Sequence, residues 1–228
     1  EVAFVAARPP GHHATADEAM GFCLLNNVAV AAAALTARGE RVAIVDYDVH
    51  HGNGTQDVFY EDPHVLYVSL HQWPLYPGTG RLEDTGAGAG EGTTLNLPMR
   101  PGTSGDPYRA ALDQVIIPAV EAFSPTWMVL SAGFDGHRAD PLADLVLTAG
   151  DFADLTARLV SLVPAGRRLA FLEGGYDLDS LATSAGACVA ALAGVAWRPE
   201  PASSGGPDAP VVAEAARRLA ERSDRAGA

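Results

Sequence analysis

The 228 residues are 48% hydrophobic and 19% charged, a balance that can fill the core of one large domain or two small ones. A formal net charge of −13 at pH 7 excludes a broad nucleic-acid surface, which needs clustered Arg and Lys, yet an acidic surface still attracts a cationic substrate. No run reaches the roughly 18 apolar residues of a membrane span and no signal peptide is visible, so a cytoplasmic protein without a membrane partner is expected. Cys23 and Cys188 form no CxxC pair and suggest neither a zinc knuckle nor a disulfide scaffold.

Strand-like sequence begins directly after Glu1 with "VAFVA" (2–6), so the chain is expected to have lost its beginning. A helix follows near 26–38, with Gly39 suited to its C′ position. The strand "RVAIVD" (41–46), a helix near 55–61, and the strands "HVLYVSL" (64–70) and "TLNLP" (94–98) come next. Pro118 should kink the helix over 106–123. After the strand "TWMVLSAG" (126–133), Thr148 and Asp151 resemble an N-cap with an acidic first turn for a helix over 148–163. The strand "RLAFLEG" (168–174) and a helix over 178–194 complete the pattern. Such alternation predicts an α/β fold, a mostly parallel sheet with helices on both faces. "RPEPASSGGPDAP" (198–210) reads as a linker before a short amphipathic tail helix, which divides the chain into 1–197 and 198–228.

Ligands of such sheets bind beyond the carboxyl ends of the strands, and there the polar clusters fall. In "DYDVHHGNGT" (46–55), Asp46, Asp48 and His50 share one parity and point the same way on an extended chain. "SAGFDGHRADP" (131–141) places Asp135 and His137 equivalently after its own strand. Carboxylates and imidazoles are costly to bury unless paired or bound to a metal, and two such clusters can supply the three ligands of a catalytic zinc ion. "RPPGHHA" (8–14) aims His12 and His13 at the same edge, where two imidazoles can act as base and electrostatic partner for a metal-bound water. Asp46 and Asn53 are close enough in sequence to the cluster to fix their tautomers. "LEGGYD" (172–177) brings Gly174, Gly175 and Tyr176, and paired glycines permit close backbone approach to a ligand. "GFCLLNN" (21–27) and "YPGTG" (76–80) offer Phe22 and Tyr76 as walls of an apolar channel.

These motifs, in this order and spacing from residue 1 to about 195, resemble the zinc-dependent histone deacetylase family, which includes acetylpolyamine amidohydrolases and acetoin-utilisation proteins. "GFCLLNN" and "DVHHGNGT" are most similar to its class II branch and bacterial relatives. The resemblance implies the arginase/deacetylase three-layer fold without its N-terminal strands, residues 1–197 being the C-terminal two-thirds of the catalytic domain. It implies zinc on Asp48, His50 and Asp135, His12 paired with Asp46, His13 paired with Asn53, and Tyr176 polarising the acyl carbonyl. Gly21, Phe22, Tyr76, Leu142, Gly174 and Gly175 would contact substrate. Structural potassium would lie on Asp46, Asp48, His50, Ser69 and Leu70, whereas His51 and His137 match the motifs without being ligands. Many members carry aspartate at the position of Asn53, and the family has further residues before "RPPGHH", including an acidic rim residue, that this sequence does not contain.

The implied activity is removal of acetyl or a short acyl group from acetylated protein lysine, acetylpolyamine or a small acylated amine. A homo-oligomer is compatible with it, and nucleic acid is not an expected partner. Two alternatives stand beside it. An arginase-like two-metal ureohydrolase shares the fold but needs more carboxylate and histidine ligands than "DYDVHHGNG" supplies. The other is a non-catalytic binding or scaffold module of the same fold.

Overall fold

All six expected strands form: β1 (Val2–Val5), β2 (Val42–Asp46), β3 (Val65–Gln72), β4 (Thr94–Met99), β5 (Trp127–Ala132) and β6 (Arg168–Leu172). They make one parallel sheet in the order β1-β6-β5-β2-β3-β4 in the computed structural model, which describes residues 2–207 and 209–226. Every residue of β2 and β3 is buried, as continuous apolar runs with both faces covered must be.

The two-residue period of the strands divides their side chains between two cores. Ala43, Val45, Leu66, Val68 and Leu130 enter the larger one, beneath the helices α3 (Gly105–Ala111), α4 (Ile117–Phe123), α5 (Ala149–Val160), α6 (Leu178–Leu192) and α7 (Pro210–Ala226). Val42, Ile44, Val65, Tyr67 and Val129 enter the smaller one, under α1 (Asn27–Thr36) and α2 (Asn53–Phe59). Helices on both faces of a parallel sheet complete the three layers.

Local chemistry marks the ends of these helices. Asn26 caps α1 by accepting the Ala29 N–H at 2.9 Å, and Gly39 closes its other end at φ 79°. Thr148 and Asp151 form a reciprocal capping box at the start of α5. The helix expected over 106–123 opens into a π-turn at Leu112–Ile116, immediately before Ile117 and Pro118. A proline ring clashes with the carbonyl four residues back and offers no N–H, and the wider turn accommodates both effects.

Residues 200–205 lie against the main body. Glu200 accepts from His137 Nε2 at 2.8 Å, from Arg138 at 2.7 Å and from the Ala149 N–H at 2.8 Å. Gly205 donates its N–H to Asp106 at 2.7 Å. Beyond this strap, α7 places Val212 and Ala215 in the larger core. Among the described residues, no helix is long and apolar enough to cross a membrane.

Candidate metal centre and active site

The parallel register aligns Asp46 of β2 with Ser131 of β5, so the segments that leave these two strands run side by side. Past Asp46 the chain is no longer a strand, yet Tyr47 and Val49 continue into the larger core. Asp46, Asp48 and His50 are thereby turned to the opposite side. Asp48 and Asp135 are buried, and His50 is nearly so. His50 Nδ1 stands 3.0 Å from Asp48 Oδ1 and 3.1 Å from Asp135 Oδ2. One ligand atom from each of the three lies within 4.8 Å of the others.

The remaining oxygens of the two carboxylates are held from behind. Gly174 donates its N–H to Asp48 Oδ2 at 2.7 Å, and Val49 donates to Asp135 Oδ1 at 3.0 Å. Gly174 must be glycine: a Cβ there would sit 2.0 Å from Asp135 Oδ2. Burial works against charge on His50, but its bonds to Asp135 and Asp48 raise its pKa to about 10. Two buried carboxylates thus draw positive charge to the point between them, and a buried acidic pair of this kind suits a bound cation. The N,O,O donor set fits a zinc ion with a position left for water.

His12 and His13 stand beside this centre with ring centroids 4.1 Å apart. His12 Nδ1 donates to Asp46 Oδ2 at 2.9 Å, and the Tyr67 hydroxyl donates to the same oxygen at 3.2 Å. Burial opposes the charged form of His12, yet the carboxylates of Asp46, Asp48 and Glu173 outweigh it and raise its pKa well above the usual value. His13 Nδ1 meets Asn53 Oδ1 at 2.8 Å. Burial, together with the charge of His12, lowers the His13 pKa to about 3. The pKa values of these neighbouring rings are therefore shifted in opposite directions, His12 upward and His13 downward.

A cavity of about 520 Å³ opens onto the centre. Its walls include His12, His13, Gly21, Phe22, Tyr76, Leu142, Gly174 and Tyr176, with Asp48 and His50 at its base. Gly21, at φ 55°, lies flat on His13, where a Cβ would come within 2.3 Å of the ring. Phe22 is 73% exposed at the rim and packs edge-on to Tyr176 at 6.3 Å. Tyr76 packs edge-on to His13 at 5.1 Å. Burial raises the Tyr176 pKa above its ordinary value, which keeps the phenol a donor.

Gly175 is not among the cavity-lining residues; it takes φ 127°, and its carbonyl accepts from Arg8 Nη2 at 2.7 Å. Ser69 and Leu70 are buried at the end of β3, and Ser69 pairs with His71 Nδ1 at 2.9 Å. His51 bonds Thr79 at 2.8 Å and Gln56 at 3.0 Å, and His137 bonds Glu200, so neither joins the metal group.

Two buried carboxylates in the same motifs have roles that sequence reasoning did not find. Glu173 receives the N–H groups of Gly11 and His12, at 2.7 and 3.1 Å. Asp140 receives those of Tyr176 and Asp177, at 2.6 and 3.2 Å. The one signal available was an acidic residue within an otherwise apolar or turn-forming motif, and their partners are distant in sequence.

The histone deacetylase domain family matches residues 1–192. Histone deacetylase 10, chloroplastic, of Oryza sativa subsp. japonica is 52% identical over 187 residues, which are 79% of this chain and 42% of that protein. A probable deacetylase of Archaeoglobus fulgidus is 48% identical over 183 residues, 78% of this chain and 51% of that one. The crystal structure of the HDA15 HD domain superposes with a TM-score of 0.87 at 41% identity, covering 96% of this chain and 61% of that one. An acetylpolyamine aminohydrolase from Burkholderia pseudomallei gives 0.78 at 40% identity, over 84% and 56% of the two chains. The chain thus spans about half the length of the curated relatives it matches. With the motifs, the sheet order and the family match in agreement over residues 1–192, this chain belongs to the histone deacetylase domain family.

Proposed function

We propose that this chain carries the catalytic machinery of a zinc-dependent amide hydrolase. It removes acetyl or similarly short acyl groups from acetylated lysine, an acetylpolyamine or a small acylated amine. The observation that carries this reading is the convergence of Asp135 on Asp48 and His50, which form the base of a cavity walled by the tandem histidines and Tyr176.

Asp48, His50 and Asp135 would hold zinc, which supplies Lewis acidity toward the acyl oxygen and acidifies a bound water. His13 commits its Nδ1–H to Asn53, which leaves Nε2 as the nitrogen that takes a proton. Its low pKa keeps the ring uncharged at neutral pH, the form a base requires. His12, held charged by Asp46, provides positive potential beside the reacting group. The Tyr176 phenol donates to the oxygen on which negative charge develops. Phe22 and Tyr76 provide apolar sides for an unbranched alkyl chain.

Structural potassium belongs to the same proposal, on Asp46, Asp48, His50, Ser69 and Leu70. His71 Nε2 donates to the Gly80 carbonyl at 3.0 Å, so its Nδ1 accepts from Ser69 and leaves the hydroxyl lone pairs available to a cation. Among the described residues a single group of metal-ligating side chains converges, which supports one catalytic metal over the two of a ureohydrolase. Metal analysis and an assay panel of acetyl-lysine peptide, acetylpolyamine and small acyl amines test the reading. One zinc per chain and hydrolysis of at least one substrate support it; a zinc-loaded protein that cleaves none of them overturns it.

A further inference from the structure

Glu173 is fully buried at the carboxyl end of β6, in "LEGGYD", and among the described residues no charged side chain is hydrogen-bonded to it. Its Oε2 accepts two main-chain donors, Gly11 N–H at 2.7 Å and His12 N–H at 3.1 Å. Its Oε1 accepts the Ser131 hydroxyl of β5 at 2.7 Å. A buried carboxylate is costly unless its oxygens are satisfied, so these three bonds fix both the side chain and the loop it grips.

The far side of that loop is held elsewhere, by the N–H groups of Gly54 and Thr55 on the His12 carbonyl at 3.0 and 3.1 Å. Its near side is tied to the sheet by Glu173 and, three residues earlier, by Arg8 on the Gly175 carbonyl. Both ties join residues 8–12 to residues 173–175, and the next residue on that side is Tyr176.

We infer that Glu173 is a positioning residue that locks the His12–His13 loop to the turn carrying Tyr176, so that the proton-transfer pair and the oxyanion donor are set as one unit over the metal centre. Glu173 is not itself a wall of the cavity: it holds the backbone of Gly11 and His12, and its charge adds to those of Asp46 and Asp48 around His12. The inference rests on the deacetylase reading above. Truncation of Glu173 leaves two buried N–H groups unpartnered and releases one edge of the loop. A displacement of about 1 Å in a catalytic group is enough to lose about 10² in rate.

The test compares Glu173→Gln, Glu173→Ala and Glu173→Asp in the zinc-loaded full chain. Glutamine can place its amide oxygen on both N–H groups and donate its NH₂ to Ser131, and the charges of Asp46 and Asp48 stay beside His12, so kcat should stay within about threefold of the parent. Alanine should lower kcat about 10²-fold while KM stays within about threefold and zinc remains bound. Aspartate keeps the charge but withdraws the carboxylate by one methylene, and should follow alanine; it decides the matter if alanine does not fold.

The ring nitrogen signals of His12 and His13 should shift in the alanine or aspartate variant and return in the glutamine variant, with exposed His64 unchanged. An inactive parent overturns the functional reading alone, and these signals still judge Glu173. Parental kcat in the aspartate variant, or unshifted His12 and His13 signals, overturns the inference.

Discussion

His13 Nδ1 lies 2.8 Å from the amide oxygen of Asn53, so the ring that accepts a proton in the proposed reaction is oriented by a neutral group. A carboxylate at that place would favour the imidazolium and raise the ring's pKa. Because the base must be uncharged, Asn53→Asp should move the acid limb of kcat/KM to higher pH by about one unit. Parallel pH profiles of the two proteins check this, and a limb that stays or moves to lower pH contradicts it.

Removal of the base itself should separate chemistry from metal binding. His13→Ala should cost about 10²–10⁴ in kcat, the usual loss when acid–base catalysis is removed, with zinc content unchanged. Unaltered turnover would transfer the role to another group.

The metal group can be probed without an assay. Asp48→Ala, His50→Ala and Asp135→Ala should each abolish tight zinc binding. If the proposed zinc ion binds the folded state, addition at about 100 times its Kd should stabilise the parent by about 2.7 kcal/mol and leave the alanine variants unmoved. Gly174→Ala should behave like the ligand variants, because its Cβ would occupy the space of Asp135 Oδ2. Thermal melts with and without zinc supply the measurement.

Tyr176→Phe removes the donor proposed for the developing oxyanion and leaves the aromatic wall against Phe22 in place. Turnover should fall about 10²–10³-fold with KM and zinc content nearly constant. A phenylalanine variant within about threefold of the parent would reduce Tyr176 to a wall residue.

Glu200 joins His137, Arg138 and the start of α5, and its replacement by alanine should cost about 1–3 kcal/mol. Burial pushes its pKa up, but the bonds to His137, the Ala149 N–H and Arg138 prevail and hold it below 4.5. The folded value is the lower one, so this contribution is complete above about 4.5 and disappears as pH falls through the folded pKa. Melting temperatures of the parent and Glu200→Gln should therefore converge as the solution is acidified. A gap that widens in acid would mean that Glu200 is not held as the bonds indicate.

The strands and their shared edge were legible in the sequence because apolar runs of β-branched residues bounded by polar turns carry their own signal. So was the gathering of Asp48, His50, Asp135 and the tandem histidines at one edge, since each follows a strand end. The parity of Asp46, Asp48 and His50 could be read from their spacing, although the strand itself ends at Asp46 and burial of Tyr47 and Val49 maintains the alternation beyond it.

What the tertiary structure decided are the relationships that depend on register and on contacts across the sheet. The order β6-β5-β2 brings Asp135 beside Asp48, and no local pattern specifies which strands become neighbours. Glu173 and Asp140 resembled ordinary motif residues until the N–H groups of Gly11 and His12, 162 and 161 residues away, and those of Tyr176 and Asp177, 36 and 37 residues away, appeared on them. Residues 200–205 have the composition of a free linker, yet Glu200 and Gly205 are tied to groups brought near only by folding. A hydrogen bond to a buried carboxylate depends on where the partner backbone arrives, and that is set by the packing of whole elements rather than by the residues on either side.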